Sequence, residues 1–243
     1  MPETELWITK IFNDHLAGVA NSMLGVVGIA AEPRPWANFV TMQLLVVFIL
    51  LVLFAILKPR FSVDKPGKLQ HTFELVYGFV RDQSEEQVGH DGHKYAGYFG
   101  TIFLFVLSCN LIGIIPGFES PTQVPSVPAG CALATFCYYN IVGVGANGLF
   151  RYLAHFAGPI WWMAPIMIPI EFASHMARPL SLTVRLFANM FAGEKVTQVF
   201  LGLTYFLVPA LFMALHVFVG VLQAYVFMLL TMIYVSGAVA HDH

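Results

Sequence analysis

The sequence predicts an all-α polytopic membrane protein with about five membrane helices, the last two long and strongly tilted, plus an amphipathic surface helix. Three observations predict this class. Of 243 residues, 58% are hydrophobic and 11% charged, and the mean hydropathy is +0.72. A soluble domain is about a quarter charged, so this chain has too few charges to cover a water-facing surface. Residues 38–57 form an apolar run without one charged side chain, close to the ~20 residues that cross a bilayer. Finally, apolar stretches recur as far as residue 240, with the charges gathered between them or spaced singly within them.

Residues 1–37 read as a peripheral segment and 38–240 as one integral membrane domain. In the first, Leu6, Trp7, Ile8, Ile11, Phe12, Leu16 and Val19 follow a helical stripe, and Glu32 to Pro35 breaks the chain before the membrane. Glu3 and Glu5, with no basic stretch ahead of a short apolar core, argue against a cleavable signal peptide. The first span is 38–57. Lys58, Arg60, Lys65, Lys68, Arg81 and Lys94 follow it, six of the 12 Lys and Arg residues. The positive-inside rule puts that loop in the cytoplasm and the N-terminus outside. Inside it, 66–88 reads as the surface helix, because Leu69, Phe73, Val76, Tyr77 and Val80 recur at helical spacing before Arg81, Asp82, Glu85 and Glu86.

The second span is 95–115, with Asn110 inside it and Pro116–Gly117 closing it. The next loop holds Glu119 but no Lys or Arg, as suits the outer face. The third span is 129–150, with Arg151 marking its cytoplasmic end. Trp161 and Trp162 read as interfacial anchors. Two segments, 160–194 and 196–238, are too long to stand upright; they read as a tilted hairpin turning near Gly193–Thr197, with the C-terminus in the cytoplasm. Cys109, Cys131 and Cys137 lack ligand spacing and read as small buried apolar residues. No basic block suggests nucleic acid, and the net charge is −2.

The chemistry concentrates in the last third. Glu171, His175, Arg178, Leu182, Arg185 and Asn189 step by four, three, four, three and four, which is one stripe of a helix. Ser181 stands beside it, one turn before Arg185. His216 and Gln223 share a face of the last helix, and Glu194 with Lys195 lies near the expected turn. Arg185 is the sharpest feature. A guanidinium keeps its charge, and a cation at membrane depth costs roughly 3 kcal/mol on insertion scales. Such a stripe lines an aqueous cleft or a partner protein, the layout of an ion pathway. The plainer alternatives are packing for His216, helix glue for Gln223, a surface ion pair for Glu194 and Lys195, and a snorkelling end for Arg178. Glu171 and His175 alone do not make a metal site, and no metal or other cofactor is expected.

The run from Pro179 to Glu194, PLSLTVRLFANMFAGE, closely resembles the signature of subunit a of F-type ATP synthases. Glu171, Leu215–His216, Leu222 to Phe227, Asn110–Leu111 with Pro116, and Tyr77 to Gln83 extend the resemblance over most of 36–240. It implies a stator subunit without a catalytic site, set in the bilayer of a bacterial plasma (inner) membrane. Its partners would be a rotating c-subunit ring, peripheral-stalk b subunits and the other synthase subunits. Two proton half-channels would meet at Arg185, which keeps the ring carboxylate ionised and blocks a direct leak. Glu194, His216, Gln223 and Asn110 would serve the outer half-channel, and Glu171, Ser181 and Asn189 the cytoplasmic one, with His175 as a further lining residue.

Three departures stand out. Gly113 occupies a position where some relatives have an acidic residue, which throws more weight on Glu194 and His216. Residues 125–130 replace a more polar pattern, and Lys195 beside Glu194 is unexpected. The competing class is a stand-alone secondary transporter whose buried Arg binds an anionic substrate, but no paired repeat is evident. An intramembrane enzyme lacks any usable nucleophile or metal motif.

Overall fold

The computed structural model describes residues 5–27, 30–62, 67–89, 91–115, 117–148, 164–203 and 207–239. Seven α-helices occur among the described residues: α1 (Trp7–Val27), α2 (Asn38–Leu57), α3 (Lys68–Val88), α4 (Ala96–Ile112), α5 (Ser126–Asn147), α6 (Ala164–Leu203) and α7 (Leu207–Val239). Among those residues there is no strand. By length and hydropathy α2, α5 and Val208–Val239 suit a membrane span, and α4 is a shorter apolar helix. Side chains such as Phe48 and Leu51 of α2 stay exposed, as expected of a lipid-facing surface.

The N-terminal helix is tied to the head of α2 by polar contacts. The Thr9 and Thr41 hydroxyls are 2.8 Å apart, and Leu6 N donates to Asn38 Oδ1 at 3.2 Å. Asn13 both donates to Trp36 O (3.1 Å) and accepts from Trp36 N (2.9 Å), which fixes the chain just before the membrane. Helix α3 presents Leu69, Leu75, Tyr77 and Phe79 outward and buries Val80 against the bundle. It ends at Gly89, whose positive φ of 93° is a backbone conformation that side chains disfavour and glycine tolerates. Tyr225 OH donates to Gln83 Oε1 (3.2 Å), joining this surface helix to α7.

Helix α7 is the centre of the bundle and packs against α3, α4, α5 and α6. Ala224, Phe227, Met228, Met232 and Val235 are buried along it. From α6, Leu182, Leu186 and Met190 enter the same core, meeting Ile102 and Val106 of α4 and Cys131 and Ala132 of α5. In a bilayer such contacts stabilise through close packing more than through release from water. Helices of 40 and 33 residues are about 60 and 50 Å long at ~1.5 Å per residue, against ~30 Å of hydrocarbon. Both must therefore tilt or bend, and α6 carries Pro169 and Pro179, each without the N–H that a helix interior uses.

Four expectations need correction. The turn expected at Gly193–Thr197 does not exist: α6 runs through it to Leu203. Gly193 is there for close approach, since a Cβ would lie 2.4 Å from His216 Nδ1 on α7. The third span starts at Ser126 instead of 129, because Pro128 falls in a first turn that needs no N–H from it. The second ends at Ile112, three residues early. Cys109 and Cys131 are buried, but Cys137 is exposed. Pro116, Arg151, Trp161 and Trp162 lie outside the described residues.

Candidate functional site

Helix periodicity divides α6 into two unlike faces. His175, Leu182, Leu186 and Met190 are buried against the bundle. On the other side Ala173, Ala177, Ser181, Arg185, Ala188 and Ala192 are all exposed, at spacings of four, four, four, three and four. Arg185 thus sits in the middle of an exposed stripe of small side chains. It makes no hydrogen bond or ion pair with any described residue. The sequence left open whether this cation lines a cleft or meets a partner protein; the fold puts it on the surface of the chain. Ser181 shares that face, and its hydroxyl donates to Arg178 O at 3.1 Å.

At the seam between the two faces, Asn189 Nδ2 donates to Gln223 Oε1 at 2.8 Å. These residues were assigned to opposite half-channels, and the structure joins them one turn from Arg185. Gln223 is 4% exposed, and its Nε2 has no acceptor among the described residues. A buried donor left unpaired costs about 1–3 kcal/mol, so it offers a strong site for water or an acidic group.

Toward the C-terminal end of α6, polar residues from α4, the α4–α5 segment and α6 converge. Asn110 Nδ2 donates to Gly220 O (2.9 Å) where α4 crosses α7, and Thr122 Oγ1 donates to Asn110 Oδ1 (2.8 Å). The hydroxyls of Thr122 and Ser120 are 2.8 Å apart, and Ser120 also donates to Cys109 O at 2.9 Å. Gln123, with its amide nitrogen turned toward α6, donates to Glu194 Oε1 at 3.0 Å. Gln198 Nε2 donates to the same carboxylate at 3.1 Å, while Lys195 Nζ points to Gln198 Oε1 at 3.3 Å. His216 is half-buried against Gly193, one residue from Glu194.

A second cluster lies near the N-terminal part of α6. His175 is 6% exposed. Its Nε2 lies 3.0 Å from Asn140 Oδ1, and Tyr139 OH is 3.4 Å away. Glu171 pairs with Arg178 at 3.8 Å, and the Arg178 guanidinium lies 5.5 Å from the Tyr234 ring centre. No group of three or more His, Cys, Asp or Glu among the described residues is arranged to hold a metal.

Of the candidate site residues, Asn110 and Glu194 lie in the first cluster and Glu171 and His175 in the second, Asn189 pairs with Gln223, His216 packs against Gly193, and Ser181 and Arg185 lie on the open face. Those missed are Ser120, Thr122, Gln123, Gln198, Tyr139 and Asn140. Their polar side chains in a Pro- and Ser-rich loop, or singly in a span, carried no periodic signal. The one available hint was that the 118–123 loop follows Asn110 so closely.

Residues 39–236 match the protein family described as ATP synthase A chain. The chain is 73% identical over 233 residues to the protein named ATP synthase subunit a of Solibacter usitatus (strain Ellin6076), covering 96% of this chain and 100% of that one. It is 46% identical over 241 residues to ATP synthase subunit a of Koribacter versatilis (strain Ellin345), covering 98% of each. With ATP synthase subunit a 1 of Pelobacter propionicus (strain DSM 2379 / NBRC 103807 / OttBd1) the identity is 45% over 197 residues, 81% of this chain and 86% of that protein.

Proposed function

The chain belongs to the ATP synthase A chain family, and we propose that it is the stator subunit that guides protons to and from a rotating ring of c subunits. As a family member it is a membrane component of ATP synthase that works with the other synthase subunits in proton transport and ATP synthesis. The finer reading assigns the exposed stripe centred on Arg185 to the ring. The peripheral-stalk b subunits would hold the chain still against it. The N-terminus would face outward and the C-terminus the cytoplasm of a bacterial plasma membrane.

The single observation that carries this reading is the isolation of Arg185. A permanent cation in an apolar face, without a partner among the described residues, calls for an anion supplied by another subunit. Small neighbours let a partner helix come close. A ring carboxylate passing Arg185 stays ionised beside it by opposite-charge proximity. It takes up a proton only after leaving, on one side or the other.

The two polar clusters supply those sides. Glu171 and Glu194 are 23 residues apart on α6, about 34 Å along the axis, enough to reach from one membrane face to the other. Glu194, His216 and Asn110 form the outer half-channel. Glu171, with His175 as a further lining residue, belongs to the cytoplasmic one. Ser181 lies on the ring-facing side of that end, and Asn189 and Gln223 stand at the divide. Arg185 repels a proton that would otherwise cross directly, a leak that discards about 2.3 kcal/mol per 100 mV. The exposure of Arg185 favours this reading over a stand-alone transporter, which needs an enclosed anion site.

Replacing Arg185 tests the proposal. In the assembled synthase, Arg185→Ala is expected to abolish ATP-driven proton pumping while the c subunits still co-purify. A variant that assembles and pumps at the normal rate refutes it.

A further inference from the structure

The segment between α4 and α5 is a loop by sequence, yet it folds back into the bundle. Gly113 shows how tightly. A Cβ at this position would lie 2.9 Å from both the Cβ and the backbone nitrogen of Ser120. Backbone cannot step aside as a flexible side chain can, so position 113 has no room for a carboxylate. Ser120 and Thr122 are buried, 1% and 0% exposed, and their hydroxyls are bonded to Cys109 O and Asn110 Oδ1.

That anchor aims its neighbours at α6. Gln123 on one side reaches Glu194. Glu119 on the other is half-buried, accepts from Asn38 Nδ2 at 3.4 Å and lies within electrostatic reach of Glu194. Asn38 in turn accepts from the backbone at Leu6, and Trp7 meets Phe118 edge-on with ring centres 6.4 Å apart. The first turn of α1 therefore fixes the rim where Glu119 stands. Glu194, which Glu119 reaches electrostatically, has Lys195 as its neighbour on α6.

We propose that Glu119 is the outermost proton-carrying group of the outer half-channel, filling a role that position 113 has no space to fill. The step rests on the function proposed above. A proton from outer water binds a Glu119 oxygen; that O–H bond then breaks as the proton moves, directly or over water, to the Glu194 carboxylate. Glu119 returns to its anionic state and can load again. A proton on one carboxylate removes its repulsion on the other, so charge can be handed along the pair. Asn38 and Gln123 hold the two groups in place without taking up net charge.

The test uses assembled ATP synthase in proteoliposomes, with ATP synthesis measured under a fixed imposed proton gradient. Glu119→Gln keeps an acceptor for Asn38 but cannot carry a proton. It is expected to slow synthesis roughly tenfold, the effect of about 1.4 kcal/mol on the barrier, with c-subunit recovery unchanged. Glu119→Asp should retain most of the rate. A normal rate in Glu119→Gln overturns the proposal, as does an equal loss in Glu119→Asp, which would mark a role in shape alone. Arg185→Ala in the same vesicles separates the two levels. If it still synthesises ATP, the stator reading fails; if it is dead while Glu119→Gln is normal, only the Glu119 step fails.

Discussion

Two arginines seven residues apart on α6 are treated in opposite ways. Arg178 is surrounded: Glu171 lies 3.8 Å from its guanidinium and the Tyr234 ring faces it. Arg185, two turns on, has an open face of small side chains and no partner among the described residues. Both carry the same fixed charge, so the difference lies in what the fold provides around them. Near Glu171, α6 supplies a counter-charge for its arginine; around Arg185 it supplies none among the described residues. On the proposed function, that lone cation is reserved for a transient anionic partner.

The strongest way to break this comparison is to remove each cation in turn. Arg185→Ala should reduce ATP-driven pumping to background. Arg178→Ala should cost less than roughly fivefold, because a half-exposed ion pair contributes about 1 kcal/mol or less. Pumping by purified, assembled complexes measures both, normalised to the amount of c subunit. Equal losses in the two variants would mean that Arg185 is not set apart, and that the whole stripe acts as one unit.

A smaller effect is expected where α6 meets α7 at the outer end. In Gly193→Ala the new methyl group lands 2.4 Å from His216 Nδ1. The imidazole must swing or the helices must part, at a cost of about 1–3 kcal/mol. The solubilised complex should dissociate at a lower temperature and pump more slowly. Adding His216→Ala should restore the temperature but not the rate, since space returns while the ionisable group is gone. If Gly193→Ala matches the wild type in both measurements, the close approach of His216 has no consequence for the path.

This same glycine shows how far the sequence could be read. The helical character, the surface helix and the stripe on α6 follow from periodicity, which needs no partner to be visible. Glu194 and His216 were legible as polar residues in an apolar stretch, and the fold sets His216 against Gly193, the residue beside Glu194. Gly193 was misread, because a glycine that admits a neighbouring helix has the same letter as one that ends a turn. Whether Arg185 lines a cleft or an open face was undecided for a related reason: flanking apolar residues look alike whether they pack inward or stay exposed. Ser120, Thr122 and Gln123 were invisible, since their role depends on a loop folding back over Gly113.

The mildest prediction concerns how the inner end is held together. His175 touches α5 through two polar groups of unequal quality. Asn140 Oδ1 is 3.0 Å from Nε2, a normal hydrogen bond, whereas Tyr139 OH stands at 3.4 Å, near the outer limit. The Tyr139 ring does more: it is 1% exposed, with the His175 and Tyr234 rings 5.3 and 5.9 Å from it. Tyr139→Phe keeps that ring and removes only the long contact, so pumping should stay within about twofold of wild type, a change of ~0.4 kcal/mol or less. Tyr139→Ala should be far worse, at about 3–5 kcal/mol of stability for the lost ring, and should reduce recovery of the complex. Should Tyr139→Phe instead stop pumping while the complex assembles, the hydroxyl itself carries protons. The inner end would then resemble the outer one, a chain of exchangeable groups in place of a packed support.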